Sequence, residues 1–205
     1  MPLVRKDPAA KPAVEGDAFG LLKSGDAEAR FAAARTLATL PGGVEALGEA
    51  VAAETAPRVR EAIFTALARA ATPRSAQIVA PFIRSEDADV RTLAIDALNA
   101  MPEATTVVLP QLLADPDPDV RLLSCELART IRSGEAAAQL CELLDREQEH
   151  NVCGAAVEVL AEIGDSSSIA ALRRCGARFP DDPFLTFAIK AVVDQWDHGS
   201  TSTRG

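Results

Sequence analysis

The sequence predicts an all-α chain folded as an α-solenoid, a right-handed superhelix of about six two-helix repeats. Three observations predict it. First, a short motif recurs: Asp26-Ala-Glu-Ala-Arg30, Ala56-Pro-Arg-Val-Arg60, Asp87-Ala-Asp-Val-Arg91, Asp117-Pro-Asp-Val-Arg121 and Glu149-His-Asn-Val-Cys153, with a weaker Asp181-Asp-Pro-Phe-Leu185. The anchor positions 30, 60, 91, 121, 153 and 185 stand 30, 31, 30, 32 and 32 residues apart, and a fixed period of that size marks a repeat array. Second, apolar residues recur at helical spacing, with no strand-like alternation. Third, at 48% apolar and 25% charged residues, the composition suits a packed core rather than a disordered chain.

Taken in order, residues 1–15 are rich in Pro, Ala and Lys and read as a disordered tail. Residues 16–198 form the array and residues 199–205, with Gly, Ser and Thr, a second disordered tail. The fourth unit shows how each repeat is built. Val107, Val108, Leu109, Leu112 and Leu113 make a short apolar helix ending at Asp115-Pro116. Asp117 then caps the next helix by accepting from its unpaired N–H groups. Pro118 follows at the first helical position, where its missing N–H is harmless. Asp119 places negative charge at the positive end of the helix dipole. That second helix is expected from Pro118 to about Arg132, with Val120, Leu123, Ser124, Leu127, Ala128 and Ile131 on its inner face.

The same columns run through the other units. Before each anchor stand Ala29, Val59, Val90, Val120, Val152 and Phe184. Seven residues after it stand Leu37, Leu67, Leu98, Ala128, Leu160 and Val192. Small residues such as Ala33, Ala66, Ala94, Ala97 and Ala156 allow close helix approach. No single hairpin can bury its apolar face alone, so neighbouring units must supply the core.

The D-P-D-x-V-R entry to the second helix, with Pro81 and Pro110 inside first helices, resembles HEAT repeats. The similarity is greatest to the short bacterial, phycobilin-lyase-like subtype, and it spans about Asp17 to Trp196. The pattern departs from the family at Ala56, which lacks the capping Asp, and at Cys153 and Leu185, which replace the Arg. The last unit, with Trp196, is expected to act as a capping repeat.

Charge and composition narrow the function. Thirty acidic against 21 basic residues leave a net charge of -9, which disfavours nucleic acid and anionic membrane as partners. Tyr is absent and Trp occurs once, so stacking platforms for single strands are scarce. No apolar run approaches the roughly 18 residues of a membrane span. Met1 to Pro12 has no apolar segment of the kind a secretory signal needs. The Cys at 125, 141, 153 and 175 form no CxxC, and a cytoplasmic protein with reduced thiols is expected. They are expected to pack as small apolar residues, with Cys153 the most exposed.

Candidate chemistry is sparse. Arg30, Arg60, Arg91 and Arg121 are expected to pair with capping Asp residues of adjacent units rather than to form a binding ladder. Iron-binding HEAT-like hydroxylases use His-Glu dipeptides, but here the order is Glu149-His150 and it occurs once. No metal, no cofactor and no catalytic residue is expected, and Gly42-Gly43 is a turn rather than a phosphate loop because no GK[ST] follows.

What remains is a surface. The outward columns of the second helices begin basic at Arg35 and Arg69 and turn acidic through Asp96, Glu126, Glu158 and Glu162, with Arg129 and the apolar Leu122 beside them. The resemblance implies that this ridge lies on a concave face. The expected function is therefore a non-catalytic protein–protein interaction module or scaffold, binding another protein along Arg35, Arg69, Asp96, Leu122, Glu126, Arg129, Glu158 and Glu162. Met-Pro-Leu-Val-Arg-Lys at the start is similar to stand-alone bacterial HEAT proteins encoded beside chemotaxis-type genes, which implies a signalling protein in a two-component system as partner. The alternative is a bilin-lyase-like protein that handles a chromophore.

Overall fold

The computed structural model describes residues 11–131 and 134–201, and among them every regular element is a helix. The chain divides into two compact units, Met1–Ala104 and Thr105–Gly205. In the first unit the elements are α1 (Lys11–Ser24), α2 (Ala27–Leu37), α3 (Gly43–Val51), α4 (Pro57–Ala70), α5 (Pro73–Val79) with a following 3-10 turn (Ala80–Arg84), and α6 (Ala88–Asn99). The short α7 (Pro102–Thr105) spans the division. The second unit holds α8 (Leu109–Leu112), α9 (Pro118–Ala128), α10 (Gly134–Arg146), α11 (His150–Ile163), α12 (Ile169–Arg178) and α13 (Pro183–Thr201).

The anchors 30, 60, 91, 121, 153 and 185 all fall in the second helices α2, α4, α6, α9, α11 and α13. Within the first unit, α2 packs on α4 and α4 on α6, while α1, α3 and α5 form the other layer. Within the second, α9 packs on α11 and α11 on α13, with α10 and α12 behind them. Leu37, Leu67, Leu98, Ala128 and Leu160 are fully buried, and Val192 is 6% exposed. Burial of one Leu is worth about 1.5–3 kcal/mol, so this repeated column supplies much of the core.

Helix entry follows the sequence. Asp26 accepts from the Ala29 N–H at 2.8 Å, and Asp117 from the Asp119 N–H at 2.9 Å. Asp87 accepts from Asp89 and Val90. Pro57, Pro73 and Pro118 stand in the first turns of their helices, where no N–H partner is lost. The α2–α3 turn needs both of its glycines. Gly42 has φ 75°, and a Cβ at Gly43 would lie 1.8 Å from the Leu37 carbonyl oxygen.

Four expectations need correction. The fourth unit's first helix is not one helix but two single turns, α7 and α8, and Val107 is exposed rather than buried. Pro110, at the start of α8, brings no N–H to continue a preceding helix. The second helix of that unit ends at Ala128 rather than near Arg132, with tightened turns closing on the Glu126, Leu127 and Ala128 carbonyls. Phe184 belongs to a column that is buried at Val59, Val90, Val120 and Val152, yet it is 87% exposed. Finally, α1 begins at Lys11 and α13 runs to Thr201, inside the segments expected to be tails. Residues 1–10 and 202–205 of those tails lie outside the described residues.

Candidate partner-binding grooves

The arginine column is structural, but its acid partners are not always the expected ones. Arg60 reaches Asp87, the cap of the next unit, at 3.5 Å. Arg30 instead forms a two-pronged contact with Glu54, at 2.7 and 3.1 Å. Arg121 does the same with Glu147, at 2.7 and 2.8 Å. Three of the arginines also tie down their own entry loops: Arg30 donates to the Gly25 carbonyl, Arg91 to that of Ser85 and Arg121 to that of Asp115. Where Cys153 replaces the arginine, His150 takes over the link and stands 3.1 Å from Asp182, the residue that accepts from the Leu185 N–H at the start of α13.

Three of the four thiols are closed to solvent. Cys125, Cys153 and Cys175 are fully buried and Cys141 is half-buried. Cys153 was expected to be the most exposed, because it occupies an arginine position; it turns inward instead and shares a hydrogen bond with Cys175. Burial pushes the Cys125 thiol up to about 12. The bond with Cys175, then burial, holds the Cys153 thiol up as well. Cys125 and Cys153 therefore lack the exposure and thiolate character of a reactive centre.

Five of the eight predicted ridge residues line two grooves, one in each unit; Arg129 and Glu162 lie beside the second, and Asp96, exposed on α6, lines neither. In the second unit, α9, α11 and α13 enclose an open groove of about 850 Å³. Leu122, Val157, Ala161, Phe184, Ala188 and Val192 give it an apolar lining, and Glu126, Glu158 and Asp182 give it negative charge. His150 is the other titratable side chain along it. Glu126 and Glu158 belong to a cluster around Arg129. The guanidinium lies 3.0 Å from Glu126 and 3.8 Å from Glu158, and it also pairs with Glu162. One positive group is shared by three carboxylates, so the rim keeps a net negative charge. Glu158 is the most exposed of the three, at 72% of its side chain.

In the first unit, α2 and α4 enclose a smaller groove of about 440 Å³ that holds both Arg35 and Arg69. The grooves thus bring together Arg35 with Arg69, and Leu122, Glu126 and Glu158 with the neighbouring Arg129 and Glu162. Sequence reading missed Phe184, Asp182 and His150 in the second groove, and Arg58 in the first. Phe184 was assigned to the core by its column. The forward link from His150 to Asp182 had one signal, the missing arginine at Cys153.

No group of three or more side chains able to hold a metal ion occurs among the described residues. None of their helices is long and apolar enough to cross a membrane.

Tandem helical hairpins, side by side in two layers and joined by arginine–carboxylate contacts, define a helical repeat scaffold. A family model described as HEAT repeats matches residues 18–99 and 105–192, and the chain belongs to that family. Among solved structures, two engineered proteins from the Northeast Structural Genomics Consortium are similar. One is 23% identical with TM-score 0.49, covering 91% of this chain and 97% of that one. The other is 22% identical with TM-score 0.47, covering 88% and 97%. The complex of CpcE and CpcF of phycocyanin lyase from Nostoc sp. PCC7120 is 15% identical with TM-score 0.41, covering 95% of this chain and 100% of that one. No curated protein matches the chain.

Proposed function

We propose that the chain is a non-catalytic interaction module that holds a protein partner in the groove between α9, α11 and α13. The observation that carries this reading is the groove itself: an apolar floor open to solvent, bordered by carboxylates. Exposed Phe184 is the kind of aromatic anchor that dominates binding energy when a partner covers it. An amphipathic helix with basic residues beside its apolar stripe suits both features. Reduced thiols, no cofactor and a cytoplasmic setting go with this reading. For the partner's identity we carry forward a bacterial two-component signalling protein, on the resemblance of residues 1–6, which lie outside the described residues. A bilin-lyase-like role fits less well, because Phe184 is the single aromatic side chain lining the groove, and a planar tetrapyrrole would want rings on both faces.

The test uses a fluorescein-labelled amphipathic helix of Leu and Lys titrated against the full chain. Reversal of Glu126, Glu158 and Glu162 together to Lys is expected to weaken binding by about tenfold or more, with the helical circular dichroism retained. Because that triple change also disturbs Arg129, Phe184→Ser provides a second variant whose side chain has little packing to lose. Affinity unaltered in both would remove this groove as the site.

A further inference from the structure

We infer that the groove between α2 and α4 is a separate docking site, which takes a short acidic peptide segment of a protein partner. The inference rests on the interaction-module reading only for the kind of ligand, since none of its residues lines the groove of the second unit.

The side chains are arranged by helix spacing. Phe31 and Arg35 lie one turn apart on α2; Arg58, Glu61 and Arg69 follow one another along α4. Arg58 is already held in place. Its guanidinium sits 4.3 Å from the centre of the Phe31 ring and 3.0 Å from Glu28. Arg35 approaches the same ring at 5.7 Å. Arg35 and Arg69 are exposed, and among the described residues neither has a carboxylate within ion-pair distance. With Glu28 paired to Arg58, and Glu61 the carboxylate in the lining, the three guanidinium groups still leave an excess of positive charge in a groove of about 440 Å³.

This is a local positive site on a chain of net charge -9. That contrast selects the ligand. Guanidinium forks match carboxylates in a two-pronged geometry, and the Phe31 ring offers an apolar surface between them. Charges act over only about 8 Å at physiological salt, so a few acidic residues placed in the groove feel its arginines. A long polyanion such as duplex DNA would extend past the groove and meet the acidic remainder of the surface. A short acidic segment carrying an apolar side chain is the ligand that gains from the site without that repulsion.

Two labelled peptides test the assignment by fluorescence anisotropy with the full chain: one of alternating Glu and Leu, and the Lys and Leu helix described above. The acidic peptide is expected to bind, more weakly as salt rises. The double variant Arg35→Glu, Arg69→Glu should lose about tenfold or more of that affinity while keeping its affinity for the basic peptide. Both side chains are exposed, so the variant should keep its circular dichroism, and Arg69→Gln alone gives a milder version of the same loss. If the acidic peptide does not bind while the basic one does, the inference fails and the module reading stands. If neither binds, both fail. Unchanged acidic-peptide affinity in the double variant overturns the inference, as does tighter retention of duplex DNA. Self-association that the double variant abolishes would assign the groove to a second copy of the chain and overturn it equally.

Discussion

Glu147 shows how one side chain fixes the entry to a helix that has no side-chain cap. The second helix of the fifth repeat is entered at Glu149, whose side chain caps nothing. Two residues earlier, the Glu147 carboxylate accepts from the N–H groups of Gln148 and Glu149, each at 3.0 Å, and from both prongs of Arg121. Only 3% of its side chain is exposed. The second repeat repeats the arrangement. Ala56 cannot cap, and Glu54 accepts from the N–H groups of Thr55 and Ala56 while it pairs with Arg30. Removing one member of a buried pair strands the other, so Glu147→Ala should lower stability by about 3 kcal/mol in urea unfolding. The same sites set a pH dependence. Burial pushes the Glu147 carboxyl up, but Arg121 and the two N–H groups more than offset it and leave it below the usual glutamate value. Glu54 is held low chiefly by its hydrogen bond from Arg30. A carboxyl lowered on folding contributes stability that is complete above the unfolded pKa of about 4.3 and fades as pH falls through the folded value. The stability gap between the wild type and the double variant Glu54→Gln, Glu147→Gln should therefore be largest near neutral pH and shrink steadily below about pH 4.3. A gap independent of pH would mean that folding shifts the pKa of neither carboxyl.

At the level of helices, facing decides what a substitution does. Leu98, fully buried on α6, should lose about 2–5 kcal/mol when cut to Ala. Thr65, exposed on α4, should change stability by less than about 0.5 kcal/mol. Chemical denaturation of both variants checks the assignment of faces, and equal effects would contradict it. The second helices were legible in the sequence because cap, proline and apolar column agree at each entry, as at Asp117, Pro118 and Val120. The first helices were less so. Pro81 falls in the 3-10 turn after α5, and the helix expected around Leu109 is broken into α7 and α8; such short segments leave too few turns for a helical period to be read. The outward position of Arg35, Arg69, Glu158 and Glu162 followed from the same column logic. Their grouping did not, because which carboxylates share Arg129, and which arginine lies over Phe31, depends on contacts between helices about 30 residues apart. Phe184 was misplaced for a related reason. Its column is buried in helices that a further repeat follows in the chain, whereas no helix follows α13 among the described residues.

Across the whole molecule, stability should behave as a sum of local terms. Inside each unit the substantial contacts join a helix to its own hairpin or to the next one, as in α2 on α4, α9 on α11 and α10 on α12. The polar links span the same short range, from Arg30 to Glu54 and from Arg121 to Glu147. An array held by nearest-neighbour interfaces need not unfold all at once. Leu160→Ala empties a fully buried position on α11, and its effect should stay near that helix. Hydrogen exchange followed by mass spectrometry is expected to show lost protection in α9 to α13, with much smaller changes in α2 to α4. Equal loss in both units would mean that they unfold as one cooperative body, and nearest-neighbour additivity would then fail for this chain. The same locality bears on function. The acidic groove and the basic groove draw on different helices, so a substitution that empties one can leave the other intact. That independence is what allows the two peptide titrations to be read separately.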